Sequence, residues 1–258
     1  MKVCTQVERQ RSEALACPNR GRCPLTFLCG ARLDDDKYLL PSFTDVEVGE
    51  MVWTDLAARP RVLVVRSGLF VSKVYGNDDV MIPMSLYGQG VVIGIPDVYV
   101  PYGASDFYFL TALVPTRLCA LDAGFVKDLM ARLTIDEAQQ LNGCLTLNCN
   151  TGMYGQALTL AHRRAREKVV SVLLRLSNQL SRQIGFEGVL PVAQEDIAFL
   201  AGVERPTVSR ELKKLVREGF IDLGYRHVRL LPPLHEAYGH LIETRLRLYD
   251  LRDSDVSW

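Results

Sequence analysis

Apolar positions recur along this chain with two different periods. Between Tyr38 and about Leu121 they come in short runs: FTDVEVGEMVW, RVLVVRSGLFVSKVYG, VMIPMSLYGQGVVIGI and FYFLTALVPTRLCAL. Val-x-Val alternation interrupted by Gly49, Gly68, Gly76, Gly88, Gly90 and Gly94 predicts a small antiparallel barrel or jelly roll. From residue 124 the spacing lengthens to that of a helix. Thr134 and Glu137 make a Thr-x-x-Glu capping box, which predicts a long helix through Arg164 or beyond. A further helix is expected over REKVVSVLLRLSNQLSRQIG, ending at Gly185.

Residues 190–231 repeat this rhythm on a smaller scale. Leu190 and Pro191 precede a short helical segment with Ile197, Leu200 and Ala201 on one face, and Gly202 breaks it. Pro206 stands where a second helix would start, a position at which proline loses no hydrogen bond. Val208, Leu212 and Leu215 recur at helical spacing and would dock the second helix on the first. The opposite side carries Ser209, Arg210, Lys213 and Arg217, and Gly219 supplies the stop. Phe220-Ile221, Gly224 and His227–Leu231 read as a two-stranded wing. The whole predicts a winged helix-turn-helix, and a basic, hydroxyl-bearing helix face suits the major groove of DNA. A winged helix used for protein contacts, or a merely solvated basic face, is the plainer alternative.

The expected fold class is therefore α+β. A cysteine-bearing, irregular segment occupies residues 1–37, a β-roll residues 38–123, and a long-helix region residues 124–164. A winged helix-turn-helix follows at 165–231 and a helical extension at 232–258. In that extension Leu234, Tyr238, Leu241 and Ile242 are placed to pack back on the winged domain, with a partner contact as the other option.

Charge sharpens this division. The formal net charge is zero, yet basic and acidic side chains number 14 and 17 through residue 160, 13 and 8 over 161–231, and 3 and 5 beyond. The positive segment is the one that would meet phosphate. No apolar stretch approaches the length that spans a bilayer, and MKVCTQVERQ lacks a signal peptide's apolar core. A cytoplasmic protein with no membrane contact is expected. His162, His227, His235 and His240 show no metal-hydrolase spacing, and there is no Walker or dinucleotide loop, which argues against an enzyme.

Seven cysteines are present: Cys4, Cys17, Cys23, Cys29, Cys119, Cys144 and Cys149. Without a signal peptide, metal binding or redox chemistry is a better reading of them than structural disulfides. Cys144 and Cys149 fall on the long helix, where a packed small hydrophobe is the simpler role.

A glycine-rich roll, a long helix and a C-terminal winged helix-turn-helix is an order that resembles the Crp/Fnr family of bacterial regulators, over roughly residues 38–231. LVVRSGLFVSK, GQGVVIG and above all PTVSRELKKLVREGFI carry the resemblance. It implies a homodimer whose helices around 135–160 pair along a two-fold axis, with Leu141, Leu145 and Leu158 as knobs. Asn148, Thr151, Gly152 and Gly155 interrupt that seam, and an ordinary helix packed on the roll remains the alternative. It also implies double-stranded DNA with a palindromic promoter site as partner, and RNA polymerase as a second one. Arg210 falls where the family bonds guanine, Ser209 suits a phosphate or thymine, and Arg205 matches a helix-entry arginine. Thr207, Lys213 and Arg217 complete the implied DNA-binding set. Pro206 stands where the best-known members carry a base-reading glutamate, so the usual cytosine contact is missing.

The same resemblance bears on sensing. Cyclic-nucleotide sensors of the family hold the phosphate with an Arg-Ser pair, but Phe107 and Tyr108 fall there and no arginine lies between Arg66 and Arg117. This argues against cyclic AMP. Tyr99, Tyr102, Phe107, Tyr108 and Phe109 would line an apolar ligand cavity or simply fill the roll. Cys23-PLTFL-Cys29 resembles the Cys-x5-Cys of the family's oxygen sensors, with Cys119 as the roll cysteine and Cys17 as the remaining ligand. The resemblance implies a [4Fe–4S] cluster on Cys17, Cys23, Cys29 and Cys119. Five residues separate Cys17 from Cys23 where the type sensor has two. A zinc or thiol switch, or a small ligand in the roll, stays open beside it.

Overall fold

A computed structural model describes residues 17, 23–26, 29, 32–34, 37–38, 40–52, 61–76, 80–95, 109–181, 183, 186 and 188–242. Its first half contains strands β1 (Arg32–Asp34), β2 (Lys37–Tyr38), β3 (Ser42–Val46), β4 (Met51–Val52) and β5 (Arg61–Ser67). These are followed by β6 (Phe70–Tyr75), β7 (Met81–Tyr87), β8 (Val92–Ile93), β9 (Phe109–Ala112) and β10 (Thr116–Asp122). β1 and β2 form a short antiparallel ladder, so strand structure begins inside the segment expected to be irregular. The others build two four-stranded antiparallel sheets, ordered β3-β10-β5-β8 and β4-β9-β6-β7.

The expected alternation is present, but both of its phases are buried. Leu63 and Val65 of β5, with Leu118 and Ala120 of β10, point inward against Phe70, Leu110 and Ala112 of the other sheet. Their neighbours Val62, Val64, Cys119 and Leu121 form the opposite face, and that face is buried too. Leu25 covers it together with Val126 and Leu129 of helix α1 (Ala123–Met130). A sheet covered on both sides reads as a continuous apolar run, which is why VLVV and LCAL lack polar positions.

Helix α2 (Ile135–Ala161) starts at the predicted capping box, with Thr134 and Glu137 bonded reciprocally. It lies against β7, where Gly152 allows close approach: a Cβ there would sit 1.9 Å from Ser85 Oγ. Leu141 is buried in the core beneath the first sheet, and Leu145 packs against it. These two expected dimer knobs thus serve the chain's own core. Thr146, Met153, Ala157 and Leu160 are among the exposed positions of α2.

Helix α3 (Ala165–Leu180) ends five residues before Gly185. Its last turn tightens, with the Gln183 N–H bonding Leu180 O, and the Gln183 side chain turns to the roll instead. The Gly68 N–H donates to Gln183 Oε1 at 2.6 Å, and Gln183 Nε2 donates to Gly68 O at 3.0 Å. One continuous core joins Leu69, Val71, Leu86, Leu113 and Val114 of the roll to α3 and the segments beyond it.

Candidate functional site

Beyond α3 the chain forms β11 (Val189–Leu190), α4 (Gln194–Ala201), α5 (Arg205–Arg217), β12 (Ile221–Gly224), β13 (His227–Leu230) and α6 (Pro232–Tyr238). Gly202 caps α4 in the left-handed region (φ 60°), where a side chain would be strained, and so turns the chain into α5. Ile197, Leu200, Ala201, Val208, Leu212 and Leu215 are all buried in one cluster with α3. The wing is a three-stranded sheet rather than the expected two, in the order β11-β13-β12. Leu234 of α6 is fully buried on this domain, and Tyr238, Leu241 and Ile242 pack against the same core. Tyr238 also meets Phe220 edge-on at 5.6 Å. The described part of the extension therefore packs back on the winged domain, as its apolar spacing suggested.

With the apolar face of α5 fixed inward, Arg205, Arg210, Lys213 and Arg217 are exposed, while Thr207 and Ser209 are half-buried beside them. All six expected contacts sit on this one helix. Two arginines are held by carboxylates. Arg205 Nε lies 2.7 Å from Glu195 Oε1 on α4, and Arg210 Nε lies 3.7 Å from Glu211 Oε1. Glu211, on the basic helix, is itself buried and accepts a 2.8 Å bond from Lys214 Nζ. The i,i+3 spacing to Lys214 was the available signal for this pair.

A polar knot ties this domain to α2. Arg175 of α3 donates to Gln156 Oε1 at 2.8 Å, to Thr159 Oγ1 at 3.0 Å and to Gly152 O at 3.4 Å. Gln156 Nε2 then donates to Leu200 O of α4 at 2.8 Å. Burial lowers the Arg175 pKa to about 10. Gly155 leaves room for the guanidinium, whose Nε would lie 2.9 Å from a Cβ there. Both glycines that seemed to interrupt a dimer seam thus face the chain's own roll and α3. Further out, Lys73 of β6 stacks on Phe199 of α4 at 5.0 Å. Beside it a cleft of about 490 Å³ opens between Met81–Pro83, Leu160, Phe199 and Val203.

The four expected cysteine ligands gather at the other end of the roll. Cys119 is buried on the outer face of the first sheet, with Leu25 and Cys23 in the same cluster. The Thr26 N–H and hydroxyl donate to Cys23 O, and the Cys29 N–H donates to Thr26 O, so hydrogen bonds through Thr26 link Cys23 to Cys29. Burial pushes the Cys23 thiol up to about 12, and the nearby Cys17 and Cys119 add to the shift. Cys29 is pushed up to about 12 by burial and by Cys23, Cys119 and Cys17, against Arg66. Burial also raises Cys119, opposed mainly by a hydrogen bond and the charge of Arg66. Cys17, Cys23, Cys29 and Cys119 are thus electrostatic neighbours and carry free thiols. Among the described residues, no three His, Cys, Asp or Glu stand close enough to hold a single metal ion. An all-sulfur donor set is of the chemical type that holds iron–sulfur clusters.

Other expectations fall outside the described residues: Cys4, Tyr99, Tyr102, Phe107, Tyr108 and the side chain of Cys149. Phe109 is half-buried and packs edge-on against Tyr75 at 5.0 Å. Cys144 is half-buried on α2, and burial raises its thiol pKa. Among the described residues, no helix is long and apolar enough to cross a membrane.

These elements define a class: a two-sheet roll joined through a long helix to a winged helix-turn-helix. Residues 167–233 match the Crp-like helix-turn-helix domain. The fold is that of solved structures described as Crp/Fnr-type transcriptional regulators. FixK2 from Bradyrhizobium japonicum superposes with a TM-score of 0.60 at 20% identity, covering 77% of this chain and 97% of that one. Transcriptional regulator SdrP of Thermus thermophilus is 28% identical over 135 residues, 50% of this chain and 60% of that protein. Transcriptional activatory protein AadR of Rhodopseudomonas palustris is 40% identical over 83 residues, 30% of this chain and 34% of that protein. The match thus spans less than two thirds of either curated relative.

Proposed function

We propose that this protein is a DNA-binding transcriptional regulator that acts as a homodimer on a palindromic promoter site. The observation that carries this is the outer face of α5. Arg205, Arg210, Lys213 and Arg217 stand free of the core on a helix whose other face is locked by Val208, Leu212 and Leu215. In a dimer, two such helices would enter successive major grooves about one helical turn apart. The outward stripe of α2, with Thr146, Met153, Ala157 and Leu160, offers small and apolar positions for that pairing. Substituting Arg210 by Ala should weaken specific binding by about 1–3 kcal/mol and relax selectivity at one base pair of each half-site. Footprinting and titration against a selected palindrome would check this. An unchanged footprint with unchanged affinity would contradict it.

We further propose that binding is gated by an oxygen- or redox-responsive [4Fe–4S] cluster held by Cys17, Cys23, Cys29 and Cys119. Such a group supplies a redox- and oxygen-sensitive centre whose loss frees the thiols. Leu25 anchors the ligand loop to the sheet, and Cys119 lies on β10, which runs directly into α1, so strain at the thiols would pass to the segment leading into α2. The Arg175–Gln156 knot then links α2 to α4.

A further inference from the structure

We propose that Arg66 is the charge-compensating residue of the thiol site, favouring the more negative state of a thiolate-held cluster and so slowing its loss in air. This rests on the cluster reading above. The placement begins with a bulge. β5 and β10 pair residue by residue from Leu118 opposite Val65 to Asp122 opposite Arg61, but Arg117 pairs with Ser67. Arg66 is the extra residue, and a bulge re-aims the side chain it carries. Its guanidinium lies 4.7 Å from the centre of the Phe43 ring. Phe43 stands directly opposite Cys119 in the β3–β10 ladder, so the ring and the thiol share one face. Arg66 is thereby brought to the face that carries Cys119, where its guanidinium opposes the burial-raised pKa of Cys119 and of Cys29.

A doubly positive four-iron core held by four thiolates leaves the site doubly negative, against a wall of Leu25, Val62 and Val64. Taking one electron from it, with dioxygen leaving as superoxide, makes the site less negative. A fixed cation opposes that step and favours the electron-rich state. Arg117 is a built-in comparison. It lies over the same ring at 5.3 Å and acts more weakly on Cys119, while it is half-exposed and paired with Asp45 at 3.5 Å.

The test is the decay of visible absorption in air-saturated buffer, after anaerobic reconstitution of the full chain with ferrous iron and sulfide. Arg66→Met should bleach roughly tenfold faster than wild type, while Arg66→Lys stays near wild type and Arg117→Met moves little. Arg66→Gln makes the same comparison should the methionine variant not fold. A wild-type rate in the uncharged variant overturns the role of Arg66 and leaves the cluster reading standing. Equal acceleration by Met and Lys overturns it as well, by assigning the residue to packing. A wild-type chain that takes up no iron overturns the cluster reading itself, and with it this one.

Discussion

Arg210, Lys213 and Arg217 repeat at three- and four-residue spacing opposite Val208, Leu212 and Leu215, and that periodicity places them on one exposed face before any fold is known. Glu211 and Arg175 are different. An acidic residue within a basic helix reads as solvated, yet Glu211 is buried and braced by Lys214. An arginine in VLLRLSNQ gives no hint of a buried network reaching Gln156 and Thr159, because its partners lie 16 and 19 residues away. A carboxylate also adjoins the proposed DNA face: Glu195 holds Arg205 at 2.7 Å. Glu195→Gln should therefore tighten DNA binding about two- to fivefold, the modest scale of an exposed ion pair, with a weaker salt dependence of the difference at high ionic strength. Titration of wild type and variant across a salt series would check it; a weaker-binding variant would show that Glu195 orients Arg205 productively.

Among the elements, the capping box of α2, the Gly202 turn and the start of α5 at Arg205 were all legible, because each is set by residues within a few positions. What was not legible depends on distant partners. The end of α3 is set by Gln183 reaching Gly68, 115 residues away. The third wing strand exists only because Val189 and Leu190 find Arg229 and Val228. Glycines in α2 read as gaps in a dimer seam but are contact points with β7 and Arg175. Gly152→Ala should thus cost about 1–3 kcal/mol by overpacking against Ser85. Ser85→Ala in the same chain should restore most of it, since the clash is with the hydroxyl. Chemical denaturation of the four-member cycle measures the coupling; additive effects would mean that α2 and β7 are not in close contact.

At the level of the whole molecule, charge asymmetry and the order of periodicities pointed to the architecture, and the fold matches it. The coupling between its parts was hidden. Roll, α3 and winged domain share one core, the knot at Arg175 bridges α2 to the helix-turn-helix, and the thiols sit where the first sheet hands over to α1. Those facts motivate the central claim, that the state of the thiol site sets DNA binding. The most direct measurement is DNA affinity of anaerobically purified protein before and after exposure to air, with iron, sulfide and the visible spectrum followed in the same sample. The account predicts about four iron and four sulfide per chain, a broad visible absorption that bleaches in air, and loss of DNA binding in step with it. Colourless, iron-free protein that binds DNA equally well in both conditions would contradict it.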